Sequence, residues 1–370
     1  MTVRGLYVHI PFCVKKCGYC DFYSLPARLE CAESYVQAVI REAYQYGGLS
    51  FQTMYLGGGT PSLLGARRLK TLIDGLRKAL DLSGLAEATM EVNPESATLE
   101  LLEAAREAGM NRVSIGVQSL SDCELKSAGR IHTAAQAVEA VRLARALGFG
   151  AVSADLIVGL PGQTWPSLRE SMEALLRTGI EHLSVYCLSL EEGTPLAKNP
   201  PDDLPSDDAQ AGLFEEASSF LAGRGLIHYE ISNFAVKGRE CLHNLNYWRN
   251  GEYVGLGPAA ASHIGGKRFR NRSDLDAYLE DPTGLAEETE ELNARDKACE
   301  EAMLRLRLLE EGVGTGDLTT RFGRDNVEAL IGRLEQMAAR GMLVSDGERY
   351  VLPSSRILTS NPIFAEVLSE

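Results

Sequence analysis

The chain has 370 residues, 45% of them hydrophobic and 24% charged, the balance of an ordinary globular protein with room for one large domain and a smaller one. A formal net charge of −14 argues against a nucleic-acid partner, which would need clustered Lys and Arg. No apolar run reaches the roughly 18 residues of a membrane span, and the first apolar stretch holds His9 and closes at Pro11, unlike a secretory leader, so membrane contact is expected to be peripheral if it occurs.

Strand and helix patterns alternate through the first half. Apolar runs predict strands at Leu6–Ile10, Thr53–Leu56, Thr89–Val92, Arg112–Val117, Ala151–Val158 and His182–Leu188. Helical patterns fall between them at Ala32–Tyr46, Gly65–Leu80, Thr98–Glu107, Thr133–Leu147 and Pro166–Thr178, and Gly109, Gly148 and Gly179 sit where a helix would end. Such alternation builds a parallel sheet, and six strands predict an open, partial (β/α)6 barrel in an α/β fold. Polar residues or glycines recur at the C-terminal strand ends: Tyr7 and His9, Gly57-Gly58-Gly59-Thr60-Pro61, Glu91, Gln118, and Asp155 ahead of Gly159. In β/α barrels chemistry gathers at that rim.

From Leu190 the pattern loosens into an extension running to about residue 280, with a breaker-rich loop at Asn199–Asp208 and a helix at about Ala209–Ala222. An acidic stretch, Asp281–Asn293, reads as a linker. The C-terminal part, 290–370, reads as helices Asp296–Glu311 and Asn326–Arg340 and a hairpin, Met342–Val344 with Arg349–Leu352, turned by Asp346-Gly347, and resembles a small winged-helix module. Counted from Glu290 it carries 10 basic and 15 acidic residues, so a capping or partner-docking role is expected in place of DNA binding.

Cysteine usage is uneven. Cys13, Cys17 and Cys20 cluster directly after the first strand; Cys31, Cys123, Cys187, Cys241 and Cys299 are scattered and read as inert thiols. This is no disulfide framework and fits a reducing cytoplasm. Three thiols at x3 and x2 spacing can hold three corners of a cubane cluster and leave the fourth iron open. Two alternatives compete: a structural zinc with His9 as fourth ligand, and a cluster closed by a fourth thiolate, with Cys31 the candidate. Neither accounts for the polar rim.

The run Tyr7-Val-His-Ile-Pro-Phe-Cys13-x3-Cys17-x-Tyr19-Cys20-Asp-Phe22 resembles the signature of radical S-adenosylmethionine (SAM) enzymes, in the branch of oxygen-independent coproporphyrinogen III oxidase and closest to the HemW-type haem chaperones. The likeness continues through Gly57–Pro61, Glu91–Pro94, Ser114–Ser119, Asp155–Gly162, Tyr229–Phe234 and Ile357–Leu368. It implies a 4Fe-4S cluster on Cys13, Cys17 and Cys20, with SAM docking on the open iron through its amine and carboxylate. There its sulfonium can be cleaved to methionine and a 5′-deoxyadenosyl radical by a low-potential electron from a donor protein. Tyr7, Gly58, Gly59, Thr60, Glu91, Gln118, Arg130 and Asp155 fall on the family's SAM-contacting positions, Arg130 suited to the α-carboxylate.

Two features separate the branches. The oxidising enzymes carry a further cysteine where this chain has Phe22, and His243-Asn244-Leu-Asn-Tyr247-Trp248 matches the H-N-x-x-Y-W motif of the chaperones. The resemblance therefore implies a haem chaperone, with His243, Tyr247 and Trp248 as haem contacts, Cys241 as a weaker ligand candidate and acceptor haemoproteins as partners. The runner-up is oxidative decarboxylation of coproporphyrinogen III. One departure is Gly255-Leu-Gly257-Pro-Ala-Ala-Ala261-Ser-His263, in which the histidine is displaced by two residues from the family pattern, which puts any role of His263 in doubt.

Overall fold

A computed structural model describes residues 3–26, 28–284 and 286–369. The predicted strands form β1 (Arg4–Ile10), β2 (Thr53–Gly58), β3 (Glu87–Val92), β4 (Arg112–Gln118), β5 (Ala151–Val158) and β6 (His182–Cys187), each parallel to the next. The connecting helices, α1 (Ala32–Ala43), α2 (Gly65–Ala79), α3 (Leu99–Glu107), α4 (Ala134–Ala146) and α5 (Trp165–Arg177), lie within three residues of their expected bounds. Thr98, Thr133 and Thr164 cap the last three by accepting N–H bonds, and Gly109, Gly148 and Gly179 take positive φ just past helix ends.

The sheet is larger than six strands. After α6 (Asp207–Ala222), β7 (Ile227–Glu230) and β8 (Asn233–Ala235) pair antiparallel beyond β6, and α7 (Leu242–Trp248) follows. β9 (Glu252–Leu256) then joins the opposite edge parallel to β1, a seventh parallel strand. Its five residues include Gly255 and lie between Gly251 and Gly257, too short a signal for periodicity to separate from loop. β10 (Ala261–Ile264), β11 (Lys267–Asn271) and β12 (Ala286–Glu290) extend that edge antiparallel, and β6 and β9 do not bond to each other, so the parallel run stays open.

The acidic linker is thereby corrected: within 281–293, residues 286–290 form an edge strand, Leu285 lying outside the described residues. Charge supplies what its poor β propensity lacks. β12 lies beside the basic β11, and Arg272–Glu287 and Lys267–Glu291 ion pairs link the two segments.

Between β11 and β12 lies the short helix α8 (Leu275–Glu280). In the C-terminal part, α9 (Ala294–Arg305), α10 (Thr315–Phe322), α11 (Arg324–Ala339) and α12 (Ser360–Leu368) pack around a three-stranded sheet of 313–314, 349–351 and 344–345. α10 was not anticipated from sequence. This part meets the end of α7 through Arg307, stacked between Trp248 and Phe364, and through the Arg249–Glu311 pair. Among the described residues no helix is long and apolar enough to cross a membrane.

A buried carboxyl ties α1 to the β9–β11 edge. Glu42 of α1, 2% exposed, accepts from Tyr278 Oη (2.5 Å), Gly257 N (2.8 Å) and Asn271 Nδ2 (2.6 Å). Burial pushes it up to about 7, against the pull of those donors. The folded state therefore holds a proton that the unfolded state releases near its ordinary value of 4.5, and stability falls as pH rises toward 7. Glu42→Gln is expected to flatten that fall by up to about 1.4 kcal/mol per pH unit in urea unfolding between pH 5 and 7. An unchanged slope would remove Glu42 as its source.

Candidate functional site

The C-terminal ends of β2 to β6 and the cysteine loop enclose a cavity of about 380 Å³. Into it the fold gathers Cys13, Cys17 and Cys20, the turn Gly58-Gly59-Thr60, and Glu91, Gln118, Arg130 and Asp155. Of the expected SAM contacts only Tyr7 lies elsewhere. It lines a neighbouring cavity and bonds His9 Nδ1 at 3.1 Å.

The cysteine loop is fixed from both sides. Gly18 N donates to Ala128 O (3.2 Å), and Leu196 N donates to Gly18 O (2.8 Å). The glycine turn locks to the start of this loop through Gly59 N to Ile10 O (2.8 Å) and Thr60 N to Phe12 O (2.7 Å). A Cβ on Gly59 would lie 2.6 Å from Phe12 O, and Gly58 has φ 108° with His9 Cε1 2.7 Å from where its Cβ would stand. Side chains at either position would push the turn off the cysteines.

Arg130 spans this seam. Its Nη1 donates to Cys17 Sγ (3.4 Å) and its Nη2 to Asn93 Oδ1 and Gly116 O (both 2.9 Å), while Nε is buried without a partner. Burial alone would lower the guanidinium, but Tyr19, Cys17 and Glu95 outweigh it and hold it above its ordinary value. Glu91 accepts from Tyr55 Oη (2.8 Å) and Asp155 from Ser114 Oγ (3.0 Å). Both residues are half-buried and line the cavity. Burial pushes Glu91 up to about 7, with the Asp155 charge adding to it, and Asp155 up to about 6. Gln118 follows a break in the β4–β5 register and has φ 67°, a strained conformation for a residue with a side chain.

The residues fit an iron–sulfur cluster carrying a zwitterionic, cationic ligand. Three thiols share one wall, the Arg130 guanidinium lines the same space, and two half-buried carboxyls whose pKa values are raised there can ionise beside a positive charge. They do not fit a single zinc ion, whose 2.3 Å Zn–S bonds would draw the sulfurs to about 3.8 Å of one another. Among the described residues no three His, Cys, Asp or Glu side chains converge in that way. His9 is also unfree, since Nε2 bonds Tyr23 O at 2.8 Å. Cys31 contacts Arg28 and Glu30 and does not line the cavity.

Asn93 and Cys187 were missed as site residues. Asn93 joins Arg130 to Thr60 Oγ1, its Nδ2 donating at 3.0 Å, and its signal was its place in Glu91-Val-Asn-Pro94. Cys187 lines the cavity at the end of β6, its thiol pushed up to about 11 by burial.

The second cluster of expected contacts separates. Tyr247 and Trp248 line a larger cavity of about 920 Å³, which shares Lys16, Asp21 and Phe22 with the first, so the cysteine loop is the wall between them. His243 reaches neither cavity. It is 0% exposed, with Nδ1 bonded to Thr53 Oγ1 and Nε2 to Tyr247 Oη, both at 2.9 Å. An i, i+4 helical spacing puts His243 and Tyr247 on one face, and the tyrosine is the outer of the two. Cys241 is buried against Glu87 Oε1 (3.3 Å), and His263 bonds Gly251 O (3.3 Å) away from both cavities.

The Radical SAM superfamily model matches residues 7–175, and the HemN C-terminal domain model matches 292–355. The heme chaperone HemW of Lactococcus lactis is 33% identical over 99% of this chain and 97% of its own length. Those of Mycobacterium tuberculosis (36%, over 98% and 94%) and Escherichia coli (39%, over 83% and 83%) are comparably similar. Among solved structures, the coproporphyrinogen III oxidase HemN of Escherichia coli superposes with a TM-score of 0.88 over 100% of this chain and 90% of its own, at 23% identity, a likeness of fold.

Proposed function

The chain belongs to the HemW family of the radical SAM superfamily, and from that membership we propose that it is a haem chaperone that binds a 4Fe-4S cluster, SAM and haem and hands haem to acceptor haemoproteins. The observation that carries the reading is the convergence of three thiols, Arg130 and two half-buried carboxyls on one cavity whose cysteine wall also bounds a second, aromatic cavity. Cys13, Cys17 and Cys20 would hold the cluster. Arg130 would orient the carboxylate of SAM, and Glu91, Gln118 and Asp155 its amine and ribose hydroxyls, while Gly58 and Gly59 let bare backbone approach. When bound, cluster and SAM supply one-electron chemistry, fed by an electron donor. Tyr247 and Trp248 would meet haem directly and His243 would act behind them, holding the Tyr247 hydroxyl. Residues 1–280 would form the radical SAM unit with its extension, and 290–370 a cap that closes the second cavity through α9.

Phe22 favours the chaperone over the oxidising branch: an exposed ring stands where the oxidases have a thiol. Arg130→Met is expected to weaken SAM binding to the cluster-loaded protein about 10- to 100-fold with iron content unchanged, read by equilibrium dialysis. Failure of the cluster-loaded wild type to bind SAM would sink the reading. Conversion of coproporphyrinogen III to protoporphyrinogen under reducing conditions would replace it by the enzyme.

A further inference from the structure

The 920 Å³ cavity is within the size range of pockets that enclose whole cofactors. Its walls come from four parts of the chain distant in sequence: the cysteine loop, the end of α7, the β9–β11 edge and α9. Aromatic rings make up much of one side. Tyr253 meets Tyr247 edge to face at 4.6 Å, and Trp248 and Phe22 extend the surface on either side. Flat aromatic guests stack on such walls.

One phenol in this cavity differs from the others. Arg268 Nη1 donates to Tyr253 Oη at 3.2 Å, and the guanidinium is held in place by both oxygens of Glu300 (2.6 and 2.9 Å) and by Asn250 Oδ1 (2.8 Å). Tyr253 therefore has a fixed cation at its oxygen, the arrangement that favours a phenolate as an anionic oxygen ligand to a ferric ion. Burial raises this phenol, and Arg268 opposes the rise. Two further cations stand at the mouth. Arg270, exposed, makes no ion pair among the described residues, and Lys16 Nζ bonds only the carbonyl of Phe22, at 3.0 Å. Against them stand Glu300, which is neutralised by Arg268, and Asp21.

Resting on the haem reading above, we infer that this cavity is the haem site, with Tyr253 as the iron's protein ligand and Arg270 and Lys16 receiving the propionates. Ligation moves one proton: the Tyr253 hydroxyl gives it to solvent as the oxygen binds ferric iron, with no change of oxidation state. Arg268 is a positioning residue whose Nη1–H orients the oxygen and stabilises its charge once iron has displaced the proton. Because Lys16 and Phe22 also line the cluster cavity, the porphyrin edge and the cluster loop would share a wall.

The test is titration of full-length, cluster-loaded protein with ferric protoporphyrin IX, followed by absorbance and electron paramagnetic resonance. Wild type is expected to show a high-spin tyrosinate spectrum. Tyr253→Phe, close to isosteric, is expected to lose that signature and bind at least about tenfold more weakly. Arg270→Gln should weaken ferric protoporphyrin IX about three- to tenfold yet leave the affinity for its dimethyl ester unchanged, since only the free acid offers carboxylates. Iron content and melting temperature of both variants should match wild type. Binding by wild type with an imidazole or thiolate spectrum that persists in Tyr253→Phe, or equal loss of acid and ester affinity in Arg270→Gln, overturns this site and leaves the chaperone reading standing. Absence of haem binding by wild type overturns both.

Discussion

Replacing Cys17 with alanine is expected to remove the iron–sulfur cluster outright, from about four irons per reconstituted chain to none. The loop gives the remaining thiols no substitute. Cys13 is buried against Thr60 Oγ1 at 3.6 Å, and Cys17 is the sulfur that Arg130 addresses. Cys187 shares the cavity, but its thiol is pushed up to about 11 by burial, and no cation stands over it to favour a thiolate. Cys187→Ser is accordingly expected to keep its four irons and its SAM affinity. Iron and sulfide analysis with electron paramagnetic resonance of the reduced proteins separates the cases. Loss of the cluster in Cys187→Ser would mean that a fourth thiolate closes the site, leaving no iron for SAM to chelate. Retention of it in Cys17→Ala would move the cluster to another set of ligands.

The parallel core was legible because its signals are local. Each strand of β1 to β6 is a short apolar run, each following helix repeats its apolar face every three to four residues, and helix-ending glycines punctuate them. β9 and β12 were not legible, since their strand character is conferred by neighbours: β9 by the open edge of β1, β12 by the arginines and lysine of β11. The cysteine cavity was read nearly whole because its residues sit at strand ends, where a parallel sheet must bring them together. Tyr7 and His243 show where that reasoning stops. Tyr7 shares the sheet face of Glu91, stacking at 6.3 Å on Tyr55, whose hydroxyl bonds Glu91, yet it lines the neighbouring cavity, and motif spacing alone does not reveal how that face is divided between two cavities. His243 looks like a ligand in sequence because histidine beside Tyr and Trp suits haem. Its helix, however, is capped by Glu87, which accepts from Leu242 N (3.1 Å) and His243 N (3.0 Å), and this rotates the imidazole inward.

His243→Ala is therefore expected to act on the fold before it acts on haem. The ring stacks on Tyr55 with centroids 5.2 Å apart and meets Tyr247 edge-on at 4.8 Å, above Gly5, where any Cβ would lie 3.0 Å from its Cε1. Alanine would leave a cavity under β1 and strip the Thr53 and Tyr247 hydroxyls of their shared partner. Together these should cost about 3–5 kcal/mol. Burial also holds the imidazole down to about 3, so it is neutral when folded and charged below 6.5 when unfolded. That contribution to stability is complete above pH 6.5 and is lost as pH falls toward 3, and the alanine variant should lose this acid sensitivity. Urea unfolding at pH 5 and pH 7.5, set beside haem titration under conditions where both proteins remain folded, reads the two roles apart. If stability changes by less than about 1 kcal/mol while haem affinity collapses, His243 is itself an iron ligand, and α7 must swing open to present it. If stability falls as expected and the remaining folded protein keeps a tyrosinate haem spectrum, His243 supports Tyr247 from behind and the iron sits elsewhere, against Tyr253.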